Sequence, residues 1–301
     1  MSYSLTIRQK STLFRTRLDL DTLRKHFGAT YHIGSARTFF TYSDAPPTPG
    51  PAGEVTYMVY GGGSQLGRGF FVVCDQADTY EVTTPLPTTN HDLENLFAFA
   101  EALAALLDVR ELEADHGRTV PRAGLAALFA EVRGQNAEVL RTFATTQKEP
   151  VVSGVRMPFY LTEALCRRIA SVPPASGELY LSSYLAEKQA LVNGWLSPVF
   201  AQNAQGENTG TYTLIEDTPS VIPKEPFVPA GVAQPFGGAP VQRWQLVLAP
   251  RNGPPLGTVP YTELTAFLED HDLLKAFDER HWLIRGLSLK RMTDLANGPA
   301  T

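Results

Sequence analysis

The sequence predicts an α+β fold in which mainly antiparallel sheets pack with amphipathic helices. One observation is a series of short segments rich in β-branched and aromatic residues, Val55–Tyr60, Phe70–Asp75 and Thr79–Thr84, separated by a glycine-rich stretch and a tight turn. Strands joined so closely are typical of an antiparallel meander. The second observation is the segment that follows, in which apolar residues recur on one helical face between Leu93 and Leu107.

The elements before the meander are short. Alternating apolar residues predict a strand at Tyr3–Arg8, and a helix follows at Asp21–Phe27, where Gly28 is placed to stop it. The proline-rich stretch Ser43–Glu54 predicts a surface loop, because proline removes the donors that a strand ladder requires.

The helices after the meander are marked by their capping residues. Thr89 and Asp92 have the spacing of a capping box at the start of the first one. Pro121 is placed to begin a second long helix, which Gly134 is expected to weaken or bend. A third helix is predicted over Thr162–Ala170, before a pair of prolines.

The C-terminal part of the chain predicts more strands and a long irregular segment. The expected elements are strands at Glu178–Tyr184, Trp195–Ala201, Thr211–Glu216 and Arg243–Leu248, a helix at Thr262–His271 and an apolar run at Trp282–Leu289. The proline- and glycine-rich segment at 217–242 is expected to be irregular, and loops of that length are usually functional.

Two segments share one order of elements. Phe70–Leu107 and Arg243–Leu274 both predict strand, strand and helix, which would suit two related β-β-α-containing halves. Duplication and chance agreement both remain open, because few residues match. We therefore divide the chain into an N-terminal α+β half, 1–150, and a C-terminal half, 151–301, which contains the irregular segment at 217–242.

Composition and charge favour a folded protein that is not a general nucleic-acid binder. Hydrophobic residues make up 43% of the chain, enough for a core, and the net charge is −5. Proteins that bind phosphate backbones usually carry a basic excess. The local exception is a basic N-terminal stretch within residues 1–50, which leaves weak nucleic-acid binding as a third hypothesis.

The chain is expected to be cytoplasmic, with no membrane partner. Its N-terminus lacks an apolar core of the kind found in signal peptides, and its most apolar helix is too short and too charged to cross a bilayer. The two cysteines, Cys74 and Cys166, lack paired spacing and are read as buried, reduced thiols.

The glycine-rich stretch Gly61–Gly69 is the strongest candidate for ligand binding. Clustered glycines let backbone amides converge on an anion, and an arginine can add a bidentate contact to a phosphate. The candidate ligand-binding residues are Gly62, Gly63, Ser64, Gly67 and Arg68. However, the stretch lacks the Lys and Ser/Thr of a P-loop, and it precedes a predicted strand, so a hairpin loop without ligand is the alternative.

No catalytic or metal-binding constellation is recognisable. Histidines lie beside acidic residues at His91, His116, His271 and His281, but not at the spacing of a metal site. There is no nucleophile elbow and no cysteine in a catalytic frame. We therefore expect no metal and no cofactor, the catalytic residues stay unknown, and whether the protein is an enzyme stays open.

Aromatic residues of the C-terminal half are the candidates for partner binding. Phe227 and Phe236 lie in the irregular segment, and Trp195 precedes it. Aromatic side chains are frequent at the centres of protein interfaces. The alternative is that these side chains cover an edge of their own sheet.

Two motifs carry a family resemblance. The segments Gly67-Arg68-Gly69-Phe70 and Thr88-Thr89-x-x-Asp92, after an N-terminal strand and helix, resemble a family of uncharacterised bacterial proteins of similar length. The resemblance covers most of the chain. It implies a bacterial cytoplasmic setting and lends no catalytic residue.

These observations favour a bacterial, cytoplasmic accessory or interaction protein without evident catalytic activity, which recognises a protein partner or a second copy of itself. The alternative is a ligand- or phosphate-binding enzyme that uses the Gly61–Gly69 loop.

Overall fold

The fold consists of two compact units, Met1–Ala190 and Leu191–Thr301. The computed structural model describes residues 1–9, 18–36, 41–62, 66–75, 79–192, 196–203, 205–228 and 235–297, without the side chain of His116. The boundary between the units lies forty residues after the division at 150/151 that was drawn from the sequence, so residues 151–190 belong to the first unit. Within the described residues, no helix has the length and hydropathy needed to cross a membrane.

A large antiparallel sheet forms the centre of the first unit. Its strands are β1 (Ser2–Arg8), β2 (Tyr31–Ala36), β3 (Tyr42–Ser43), β4 (Val55–Gly61), β5 (Phe70–Cys74), β6 (Thr79–Pro85), β7 (Glu111–Ala114) and β8 (Arg118–Pro121). They lie in the order β3-β2-β4-β5-β6-β1-β7-β8, and the β4-β5-β6 meander predicted from the sequence is confirmed. The α+β class with mainly antiparallel sheets is therefore confirmed.

The helices of the first unit cover this sheet and pack on each other. They are α1 (Leu20–Phe27), α2 (Asn90–Leu106), α3 (Leu125–Thr146), α4 (Glu163–Ala170) and α5 (Pro174–Ala190), and a hairpin of β9 (Val151–Ser153) and β10 (Pro158–Tyr160) lies between α3 and α4. The apolar face of α2 is buried, and Phe99 contacts Phe70 of the sheet with ring centroids 5.4 Å apart. Contacts among α3, α4 and α5 place α5 beside the start of α2.

Two predicted elements of the first unit are corrected. The strand expected at Glu178–Tyr184 is wrong, because these residues form the middle of α5. Buried residues recur every four positions at Gly177, Leu181, Leu185 and Gln189, which is a helical period that the alternation at 179–181 conceals. The second long helix begins at Leu125 instead of Pro121, because a single 3₁₀ turn comes first.

The second unit combines two small sheets with two helices. One sheet contains β11 (Val199–Gln202), β12 (Asn208–Ile215), β14 (Arg243–Ala249) and β15 (Gly257–Pro260), and the other β13 (Ser220–Pro223), β16 (Leu274–Ala276) and β17 (His281–Ile284). The helices are α6 (Tyr261–Asp270) and α7 (Leu289–Ala296). All pairs are antiparallel except β12 with β14, and the core includes Tyr212, Leu246 and Leu264.

The order strand, strand and helix, predicted for Phe70–Leu107 and for Arg243–Leu274, is present in both units. In the first unit β5 pairs antiparallel with β6 and α2 follows; in the second, β14 pairs antiparallel with β15 and α6 follows. Part of the segment expected to be irregular is regular, because β13 pairs with β17. Each unit therefore contains a β-β-α element, while common descent of the two stays a hypothesis.

Candidate functional site

The Gly61–Gly69 stretch connects β4 to β5, and its second half contacts the first turn of α2. Gly63 and Ser64 lie outside the described residues. The Gly62 amide donates a hydrogen bond of 2.9 Å to the Thr30 carbonyl, so it is used within the fold. The segment from Gly67 to Gly69 is buried.

The buried carboxylate of Asp92 joins this segment to α2. Asp92 is 2% exposed and accepts hydrogen bonds from the backbone amides of Arg68, at 2.8 Å, and Gly69, at 2.9 Å. The hydroxyls of Thr88 and Thr89 donate to the same carboxylate at 3.1 and 2.6 Å. Thr89 also accepts from the Asp92 amide at 3.0 Å and so caps the helix, as its spacing predicts. The two motifs behind the family resemblance thus meet at one side chain.

The close approach of Asp92 explains why residue 67 is a glycine. A β-carbon built on Gly67 would lie 2.2 Å from Asp92 Oδ2, well inside contact distance. Gly69 has a φ of +70°, a conformation that side chains other than glycine rarely adopt. The Gly-Arg-Gly sequence therefore serves the approach of the loop to the helix.

The guanidinium of Arg68 is used within the protein and not at the surface. Arg68 is 8% exposed, and its Nε donates to the Ser153 carbonyl at 2.9 Å. Its Nη1 donates to the carbonyls of Pro85, at 3.2 Å, and Pro87. Burial lowers the pKa of the guanidinium to about 10, against the opposing effect of Asp92. This placement differs from that of an anion contact, because the donors expected to bind phosphate already bind backbone carbonyls.

A cleft of about 400 Å³ opens where α2, α3 and α5 meet the end of this loop. We call it the α2–α5 cleft. Its lining residues are Leu66, Gly67, Thr89, Asn90, His91, Glu94, Arg133, Glu178, Leu179, Ser182, Ser183 and Ala186. A second cavity of about 410 Å³ shares Asn90, Arg133 and Glu178 with it.

Glu178 is the most unusual residue of the α2–α5 cleft. It is 1% exposed, and its Oε1 accepts hydrogen bonds from the Asn90 amide and, at 3.0 Å, from the Ser182 hydroxyl. Burial raises the pKa of the Glu178 carboxyl, while these hydrogen bonds and the charge of Arg133 oppose the rise. The carboxylate thereby occupies the N-terminus of α2, where a negative charge is favoured.

Two buried polar atoms of the cleft have no hydrogen-bond partner in the described part of the chain. They are Oε2 of Glu178 and Nε2 of His91. A buried carboxylate oxygen without a donor costs on the order of 1–3 kcal/mol, so such atoms require an explanation. The exposed guanidinium of Arg133 forms no hydrogen bond or ion pair with the described residues either. The cleft therefore combines a buried carboxylate oxygen that lacks a donor among these residues with a solvent-exposed guanidinium.

Two of the three candidate partner-binding aromatics, Phe227 and Phe236, are described, and each contacts other residues of the second unit. Phe227 lies 6.1 Å, centroid to centroid, from the ring of His281, with the guanidinium of Arg280 at 5.6 Å. The ring of Phe236 meets Phe200 edge-on at 6.3 Å. Trp195 lies outside the described residues. Phe227 and Phe236 thus contact residues of their own unit, and their role in partner binding stays a prediction.

The histidines do not assemble into a metal centre within the described residues. No group of three or more His, Cys, Asp or Glu side chains there could hold a metal ion. The buried Nδ1 of His281 lies 2.8 Å from Asp278 Oδ1, which ties a turn to β17. Asp92, next to His91, is used by the network described above.

The sequence predicted the residues of the site that belong to the loop and the start of α2, but not those on α3 and α5. It singled out Gly67, Arg68, Thr89 and Asp92 through local motifs. It missed Glu178, because the segment was read as a strand and its helical neighbours were not considered. Arg133 lies on a predicted helix, yet no local pattern distinguishes it from other exposed arginines.

Comparison with known proteins identifies a family and no function. Residues 2–295 match the model of a family described as a domain of unknown function, DUF4299. No curated protein and no solved structure matches the chain. The match agrees with the expected resemblance to a family of similar length from which no function is carried over.

Proposed function

The chain belongs to the DUF4299 family, whose description names no function, and from its geometry we propose that it binds a small polar ligand in the α2–α5 cleft. One observation carries the proposal: a glutamate that is 1% exposed lines the cleft, and its Oε2 receives no hydrogen bond from any described residue. Ligand sites usually combine an apolar wall with a few placed polar groups. Here Leu66, Leu179 and Ala186 supply apolar surface beside the polar residues.

The ligand-binding alternative drawn from the sequence is kept, but the proposed site is the α2–α5 cleft instead of the Gly61–Gly69 loop alone. Leu66 and Gly67 of the Gly61–Gly69 stretch line the cleft, whereas Arg68 binds carbonyls behind it. The ligand-facing groups then come from α2, α3 and α5. Nothing in the arrangement supplies an activated nucleophile, so we propose binding and leave catalysis aside.

Filling the cleft should abolish binding without unfolding the protein. Ser183 is exposed on α5 and lines the cleft, so Ser183→Phe places a ring into its volume. Thermal shift against a panel of amino acids, polyols, nucleotides and organic acids should raise the melting temperature of the wild type for some class, since a ligand that binds the folded state stabilises it. Ser183→Phe should lose that shift.

The matched control is Glu187→Phe, one turn further along α5, which is exposed and outside the lining. It should keep the wild-type response. If no compound of the panel stabilises the wild type, or if both variants respond alike, the cleft is not a binding site.

Protein recognition is a second candidate, supported by a different surface. Strand β11 is an edge of its sheet, and Val199 on it is 67% exposed. Exposed edge strands offer free backbone groups to another strand, and apolar ones favour association. We propose this edge, in place of Phe227 and Phe236, as the described surface best suited to a protein partner or a second copy of the chain.

A further inference from the structure

The α2–α5 cleft is lined by side chains of opposite charge. Glu178 on α5 is buried, Arg133 on α3 is exposed, and both belong to the lining. Their charges influence each other, since Arg133 opposes the rise of the Glu178 pKa that burial causes. Glu94 adds a second carboxylate to the lining and His91 adds the unpartnered Nε2.

We infer that the ligand is a zwitterion of the α-amino acid type, free or at the end of a short peptide, with its ammonium at Glu178 and its carboxylate at Arg133. This inference rests on the proposed function of the cleft. An ammonium would supply a donor for Glu178 Oε2, which has none among the residues that the structure describes. The guanidinium is suited to a carboxylate because its N–H groups form two parallel hydrogen bonds with it.

Ligands of a single charge fit this lining less well. An anion would gain Arg133 but would approach the carboxylates of Glu178 and Glu94, and like charges in a partly buried site repel. A plain cation would gain the carboxylates and meet Arg133. A neutral polyol could donate a hydroxyl to Glu178 but would offer no opposite charge to either Glu178 or Arg133, and charge-assisted hydrogen bonds are the stronger ones.

The size of the cleft agrees with this class. About 400 Å³ lies at the lower end of the range for small-molecule sites, which accommodates an amino acid or a dipeptide. Leu66, Leu179 and Ala186 would then contact the side chain of the ligand and provide its selectivity.

The test uses isothermal titration calorimetry of the full chain with the proteinogenic L-amino acids and a set of dipeptides. At least one should bind, and its N-acetyl and its carboxamide derivatives should each bind about tenfold or more weakly, because each loses one partner of a charge pair. Arg133→Gln should reproduce the carboxamide effect on the unmodified ligand. Arg141→Gln, on the same helix and outside the lining, should bind as the wild type does.

The outcomes separate this inference from the proposed function. If polyols, nucleotides or organic acids bind in the cleft and no amino acid or peptide does, the ligand class is wrong and the binding function stands. If blocking the amine or the carboxylate leaves affinity unchanged, the class is also wrong. If nothing in either panel binds, both proposals fail.

Discussion

At the scale of single residues, Asp92 decides the local structure. Its carboxylate accepts hydrogen bonds from two backbone amides and two hydroxyls and is almost completely buried. Charge-assisted hydrogen bonds of this kind are stronger than neutral ones, which offsets the cost of burying the charge. The loop can reach this acceptor only because residue 67 has no side chain.

Gly67→Ala should therefore destabilise the protein. The new methyl group would overlap Asp92 Oδ2, and overpacking of a buried site costs about 1–3 kcal/mol. The free energy of unfolding, measured by urea denaturation with circular dichroism, is the test.

The same substitution at Gly134 is the control, because nothing lies within 4 Å of a β-carbon there and the residue is inside α3. Gly134→Ala should stabilise by about 0.5–1 kcal/mol, the difference in helix propensity. Equal effects at both positions would show that the contact with Asp92 is not what requires a glycine.

The second prediction at this scale concerns the pH dependence that Glu178 causes. Its folded-state pKa is raised above the ordinary 4.5, so the folded protein holds this proton more tightly than the unfolded chain. Its contribution to stability is fully present below the ordinary pKa and is lost as the pH rises through the raised one. The groups that face Glu178 are the Asn90 amide, Ser182, Arg133 and Asp92.

Glu178→Gln removes this titration and keeps an acceptor for Asn90 and Ser182. The stability of this variant relative to the wild type should therefore rise as the pH passes from the ordinary pKa of 4.5 to the raised one, and then level. Urea denaturation of both proteins, from below the ordinary pKa upward, measures this difference. A flat difference for Glu178→Gln would mean that its pKa is not raised.

At the scale of secondary-structure elements, the sequence predicted the helices and strands that have a clear hydrophobic period or clear capping residues. The β4-β5-β6 meander, α2 with its capping threonine, and the β-β-α order at 243–274 follow from period and capping residues. Helix α3 begins later than predicted because a 3₁₀ turn precedes it. Helix α5 was missed because Gly177, Glu178 and Gln189 share its buried face with Leu181 and Leu185. Polar residues on a buried face weaken its hydropathy pattern, and their partners lie far away in sequence.

The same limit applies to the candidate site. Gln189 Nε2 donates to the carbonyls of Leu66 and Gly67, 123 and 122 residues away. Asn136 bonds reciprocally with the backbone of Thr88. No window of sequence contains both ends of these contacts, so a local reading finds Arg68 and assigns it to the surface.

The edge strand β11 carries the prediction at this scale. Val199→Lys should weaken self-association, because a lysine on an edge strand opposes pairing with another strand. Sedimentation velocity over a range of protein concentrations measures this. Thr209→Lys is the control, because Thr209 lies on β12 and is paired with Ala201 on one side and Arg243 on the other. Association that is equal in both variants, or absent in the wild type, removes the edge as an interface.

At the scale of the whole molecule, each unit has a hydrophobic core of its own. The cluster of the first unit is built from residues between Tyr3 and Val132, and that of the second from residues between Tyr212 and Leu295. A unit with its own core is expected to fold alone. The division at 150/151 would instead separate α4 and α5 from α3 and remove Ser153 and Gln189 from the loop.

Fragments 1–190 and 191–301 should each unfold in one cooperative thermal transition with a near-ultraviolet circular dichroism signal. Fragment 1–150 is the matched comparison, and it should lack such a transition because it loses the buried partners of Arg68 and Gly67. Cooperative unfolding of 1–150 that equals that of 1–190 would favour the earlier boundary.

The bonds from the Arg68 and Gly69 amides to Asp92 also have a consequence for motion. Most protected amides in a sheet report the opening of strand pairs, yet these two are held by a residue of α2. Their exchange with deuterium is then governed by how often the first turn of α2 releases the loop. The exchange rates of these two amides thus report the opening of the helix end that borders the α2–α5 cleft. A ligand that stabilises this end should slow the exchange of both amides together.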